Sequence, residues 1–183
     1  MPDKRKLLVA LAAAASLAVG AQQAHAASAA DIDRDSRAAL DKLMAEHPSA
    51  ARLAHQAKGV LIFPNIVKAG LVFGGSYGEG ELIENGQVHG YYSTGSASWG
   101  LQAGAQSYGY ALFLMDDAAL QYAHDTHRWQ LGAGPTIAVV DSGMEANLTT
   151  TQLNSDSYAY VFGQQGLMAG VTVQGSKVTR LDK

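Results

Sequence analysis

The sequence predicts an α+β fold: a Gly-rich antiparallel β-sheet, curled or barrel-like, with an N-terminal helix pair and a short helix packed on it. Three observations predict it. Residues 27–58 carry apolar side chains at helical spacing and contain no glycine, whereas every glycine except Gly20 lies at 59 or beyond. From Leu71 to Ile83 alternate positions separate Leu71, Phe73, Gly75, Tyr77, Glu79, Glu81 and Ile83 from Val72, Gly74, Ser76, Gly78, Gly80 and Leu82. In a strand those sets face opposite ways, leaving one face nearly bare so that another element can approach closely. Finally, Asn85-Gly86 between two such runs is a strong short-range hairpin signal.

The elements follow in order. Asp31–His47 brings Ile32, Ala39, Leu40, Leu43 and Met44 to one helical face, with Asp31, Asp33 and Asp35 near the positive end of the dipole. Pro48 ends that helix and can begin a second, Ser49–Lys58, with Gly59 as its stop. Val60–Phe63 reads as a short strand broken by Pro64-Asn65, followed by the hairpin strands Leu71–Ile83 and Val88–Ser93. Trp99–Met115 reads as one long strand bent at its glycines. Asp116-Asp117 caps a helix over Ala118–Asp125. Strands are expected at Trp129–Ala133, Thr136–Val140, Ala146–Thr151, Ser157–Phe162 and Leu167–Val173. A turn at Gln174-Gly175-Ser176 then leads into Lys177–Leu181. The short spacings imply antiparallel neighbours.

The start of the chain is expected to be a secretory signal peptide, residues 1–26. Lys4, Arg5 and Lys6 precede the apolar run Leu7–Gly20, and Ala24-His25-Ala26 supplies the small-x-small cleavage pattern. Export to the periplasm or cell envelope follows, with residues 27–183 as one domain. No cysteine is present. Disulfides, thiol catalysis and cysteine-ligated zinc are therefore excluded, and the fold must be held by its core. Without residues 1–26 the 13 basic and 16 acidic residues fall to 10 and 15, a net charge of −5 with histidine neutral. That balance excludes nucleic acid as an expected partner, because phosphate binding needs clustered Lys and Arg.

The ordered motifs AKGVLIFPNIVKAG (57–70), GGSYGEG (74–80), SWGLQAGAQ (98–106) and QQGLMAGVTVQGS (164–176) closely resemble the SYLF domain, a lipid-binding module of eukaryotes and bacteria. The resemblance covers roughly residues 33–181. It implies phospholipid binding, with phosphoinositides bound by eukaryotic members and actin bundled by some fungal ones. For an exported chain it implies a generic affinity for membrane lipid, through a peripheral edge or a cavity of the sheet.

The candidate edge surrounds Pro64. Arg52, Lys58 and Lys68 flank Phe63, Ile66 and Val67, so cations could meet headgroups while apolar side chains enter the interface. Three such cations supply about 3 kcal/mol, short of the ~4 kcal/mol of millimolar affinity. Burial of two apolar side chains, at ~1.5–3 kcal/mol each, would make up the difference. The competing reading makes Phe63, Ile66 and Val67 ordinary core of a β-entry and leaves the lysines solvated.

Other features carry less chemistry. Gly74–Gly80 lacks the Lys-Ser/Thr ending of a phosphate loop and reads as structural glycine. His124 and His127, with Asp125 between them, have minimal metal spacing and read as solvated or dipole-capping; His47, His55 and His89 stand isolated, and no metal or cofactor is expected. No nucleophile–base set can be assembled, so the chain reads as non-enzymatic. The function expected is phospholipid binding at a membrane surface, with no protein partner identifiable. The alternatives are an envelope interaction scaffold and a small outer-membrane β-barrel.

Overall fold

The computed structural model describes residues 26–70, 73–99, 104–140, 153–166 and 175–183. Helix α1 (Ala29–Glu46) begins where the Ser28 side chain accepts the Asp31 backbone N–H, and α2 (Pro48–Gln56) starts on its proline. Eight strands follow among the described residues: β1 (Gly59–Gly70), β2 (Phe73–Glu84), β3 (Gln87–Trp99), β4 (Gly104–Leu114), β5 (Arg128–Gln130), β6 (Ile137–Val140), β7 (Ser157–Gly166) and β8 (Lys177–Leu181). Helix α3 (Asp117–Asp125) lies between β4 and β5, its first turn capped by Asp116, which accepts from Ala119 N at 2.7 Å. The strands form one curled sheet in the order β5-β8-β3-β2-β1-β4-β7-β6. The α+β class, the curled sheet and the helix pair are as the sequence predicts.

Both sheet faces carry core. On one side Leu43, Ala50 and Leu53 of the helix pair bury Val60, Ile62, Ala111, Phe113, Tyr158 and Tyr160. On the other, Ala119 and Ala123 of α3 pack with Leu61, Phe63, Leu82, Tyr92, Tyr110 and Leu112. Alternation along each strand deals its residues between these two cores.

The structure departs from the sequence reading in four places. Gly59 opens β1 and does not stop α2, which ends at Ala57. Pro64-Asn65 does not break β1: the strand runs on through an irregularity in register between Ile62 and Ile66, absorbing a proline that has no N–H to donate. Trp99 ends β3, and the strand expected over 99–115 is β4 alone, starting at Gly104. Strands β6 and β7 pair in parallel, not antiparallel. Residues 141–156 between them are long enough for the crossover that parallel neighbours need. The strands expected at Ala146–Thr151 and Leu167–Val173, and nearly all of the signal segment, lie outside the described residues.

The bare face of β2 has a definite use. A Cβ on Gly80 would sit 2.0 Å from the Ile62 carbonyl oxygen and 2.8 Å from the Phe63 ring; one on Gly78 would sit 2.6 Å from Ile66 Cγ1 and 2.7 Å from the Asn65 oxygen. The element that approaches is thus the bulged part of β1, the adjacent strand. The β2–β3 turn has φ of 50° at Asn85 and 77° at Gly86, the positive pair of a type I′ hairpin.

Candidate functional site

The predicted edge does not form one surface. Phe63 and Ile66 are fully buried, because the bulge folds them over Gly80 and Gly78. They are core, as the competing reading holds. Val67 points the other way and is 50% exposed. Lys58 lies at the start of β1, exposed and 3.6 Å from Asp117, roughly 25–30 Å along the strand from Val67. Arg52 is half-buried on α2, also at that end. Lys68 is half-buried on the face opposite Val67.

The structure collects a different set around Val67. Among the described residues, the helix pair covers only one end of its sheet face. Among the described residues, Val67, Phe73 and Tyr77 are the large hydrophobic side chains left exposed, at 50%, 73% and 56%. Register aligns them. Lys177, Gly95, Tyr77, Val67 and Ser107 form one row across β8, β3, β2, β1 and β4. The next row outward is Ala97, Gly75, Ala69 and Ala105, all exposed. One pleat repeat further, Phe73 lies exposed at the start of β2. The result is a shallow apolar platform floored by small residues.

Cations border it. Lys177 on β8 and Arg128 on β5 are exposed and alternate with the buried Val178 and Trp129, which places them on the platform's side of the sheet. Sequence reasoning missed both, because their proximity depends on β8 pairing with β3 across a separation of more than eighty residues. Exposed Phe73 and Tyr77 were legible only as one parity of an alternating strand.

At the inner border Tyr77 donates to Glu79 Oε1 at 2.7 Å. Burial and this neighbouring carboxylate push the phenol up to about 12, so it stays neutral and amphipathic. Burial alone would raise the Glu79 carboxyl, but Lys183 Nζ at 2.8 Å, the Tyr77 hydroxyl and the Ala27 N–H at 3.2 Å outweigh it and hold it below the ordinary range. An open groove of about 450 Å³ separates this corner from α1, lined by Ile32, Asp35, Pro64, Val67 and Tyr77 among others.

Of the histidines, His127 is exposed beyond α3 and is not joined to His124. His124 instead meets Glu84, and His89 lies close by.

No helix among the described residues is long and apolar enough to cross a membrane, which leaves strand-built spans unaddressed. No curated protein matches the chain. Residues 95–183 match the Ysc84 family model, described as Las17-binding protein actin regulator. That segment spans the end of β3 through β8, and β1 and β2 insert between its strands β3 and β4. Together with the motifs at 57–80, which form those inserted strands, the match is consistent with the resemblance to the SYLF (Ysc84) domain family.

Proposed function

We propose that this chain is a non-enzymatic phospholipid-binding domain of the bacterial cell envelope, exported by its N-terminal segment and docking peripherally on membrane lipid. The observation that carries this reading is the exposed platform of Val67, Phe73 and Tyr77 bordered by Lys177 and Arg128. Small residues underlie the platform, and its large side chains are exposed to meet a bilayer surface. The balance of energies also supports it. Full burial of such side chains is worth ~1.5–3 kcal/mol each. Scaled by their exposure, the three together would contribute about 3–5 kcal/mol. Two cations near an anionic surface add about 1 kcal/mol each. The sum exceeds the ~4 kcal/mol of millimolar affinity. The cation-flanked apolar surface expected from the sequence keeps its chemistry but takes different residues. An exported chain meets lipid before any cytoskeleton, so the lipid affinity of the family is carried over and the actin role is not.

The test is sedimentation with vesicles of phosphatidylcholine and phosphatidylglycerol. Binding is expected to rise with the anionic fraction and to weaken, without vanishing, in high salt. F73A/Y77A should reduce partitioning at least tenfold. Equal binding by that variant, with its fold intact by circular dichroism, rejects the platform. Absence of wild-type binding at every composition rejects the function.

A further inference from the structure

We propose that Glu84, His89 and His124 form a site for a divalent transition-metal ion of the zinc class, at the end of the sheet opposite the platform. One ligand atom from each side chain lies within 4.8 Å of the other two. Glu84 Oε1 contacts His124 Nε2 directly and lies 3.8 Å from His89 Nδ1. Two imidazoles and one carboxylate are a set that zinc accepts while keeping a position open for water or an anion. Ligand atoms around one such ion stand ~3–3.5 Å apart, so small side-chain rotations would bring these three into range.

The backbone builds this arrangement from separate elements. Glu84 ends β2, with its side chain only 11% exposed. His89 is the extra residue of a bulge in β3: Ile83 pairs with Val88 and Leu82 with Gly90, leaving His89 unmatched and re-aimed. His124 comes from the last turn of α3, fixed on the sheet by buried Ala119 and Ala123. Arg180 of β8 ties the two histidine segments together, donating from Nη2 to the His89 carbonyl at 3.3 Å and from Nη1 to the His124 carbonyl at 3.4 Å. The edge-to-face rings, 6.1 Å between centroids, therefore hold their separation. The bulge thus sets one histidine beside a nearly buried carboxylate that a second histidine already contacts. Arg180 brings a positive charge to the neighbourhood, and the Glu84 carboxylate opposes it.

The experiment is titration of the chelator-treated chain with Co²⁺, read by its visible absorption, and with Zn²⁺ by calorimetry. One equivalent should bind. H89A, H124A and E84Q should each weaken binding at least tenfold, while H127A, whose side chain lies outside the cluster, should leave it unchanged. Imidazole ¹H–¹⁵N spectra of the unaltered chain give a readout independent of variant folding: Zn²⁺ should shift His89 and His124 and leave His47, His55 and His127 in place. Absence of saturable binding overturns the site, as does binding that survives H89A/H124A or shifts other histidines instead.

Discussion

Glu81 is the buried group whose ionisation should dominate the pH dependence of stability. It sits on β2 opposite Ile62 and Tyr91, beneath α1, fully buried, and neither carboxyl oxygen receives a hydrogen bond. Burial first, and the nearby Asp33 carboxylate second, raise it to about 8, with Arg37 opposing weakly. The protonated form can instead donate to Asp33, which already accepts from the Tyr91 hydroxyl at 2.8 Å. The sign follows from linkage. Between the ordinary value of 4.5 and about 8 the folded state holds a proton that the unfolded state has released. Stability therefore falls as pH rises through that window, at up to about 1.4 kcal/mol per unit. E81Q keeps the shape and removes the titration. Urea denaturation at pH 5, 6, 7 and 8 should give a declining wild-type stability and a flatter E81Q series, with the variant the more stable at pH 8. Subtracting one series from the other cancels the contributions of every group the two proteins share. Parallel slopes for the two proteins would refute the assignment of a protonated, buried Glu81.

Close approach at the β1 bulge predicts that G80A loses roughly 2–3 kcal/mol, because its Cβ would meet backbone and not a movable side-chain tip; chemical denaturation reads this directly. Removing the α3 cap with D116A should cost about 1 kcal/mol and leave the strands' amide protection unchanged. K177E/R128E should weaken binding to anionic vesicles by more than tenfold and flatten its salt dependence, whereas K58E, at the other end of β1, should do neither. Cleavage after Ala26 would turn the Ala27 nitrogen, 3.2 Å from Glu79 Oε2, into an ammonium sharing that carboxylate with Lys183. N-terminal acetylation of the processed chain should therefore lower its melting temperature in wild type but not in E79Q.

How much of this was legible in the sequence depended on the range of each interaction. Helices announced themselves through local signals: Ser28 and Asp116 as caps, Pro48 at a first turn, Ile32 and Leu43 on one face. The Asn85-Gly86 turn was equally local. Pro64 misled because a proline in a central strand is normally a break, and nothing nearby states that Gly78, Gly80 and Gly109 make room for a bulge around it. The error spread to the site. Treating Pro64-Asn65 as a loop made Phe63 and Ile66 look exposed, while the continuous strand turns both inward. His89 looked isolated for a similar reason: its partners are a carboxylate reached around a hairpin and a helix that returns thirty-five residues later. Periodicity reports a strand's two faces without saying which neighbour covers either one.

The open platform follows from the same glycine pattern that seats β1. On one face of β2 the glycines admit Phe63 and Ile66, so the bulge can close over them and fill the core. Shifting those side chains inward rotates Val67 to the opposite face, in register with Tyr77. Helix α1 reaches that face only as far as Ser28, and the residues beyond its end are Ala69, Gly75, Ala97 and Ala105, too small to need a cover of their own. Among the described residues, the exposure of Val67, Phe73 and Tyr77 then follows from where the helix begins. Lengthening the cover should therefore hide the platform: a helical extension preceding Ser28 with leucines facing the sheet would compete with vesicles for the same side chains. Such a variant should gain stability while losing lipid binding, and a gain in both would show that lipid is held somewhere else.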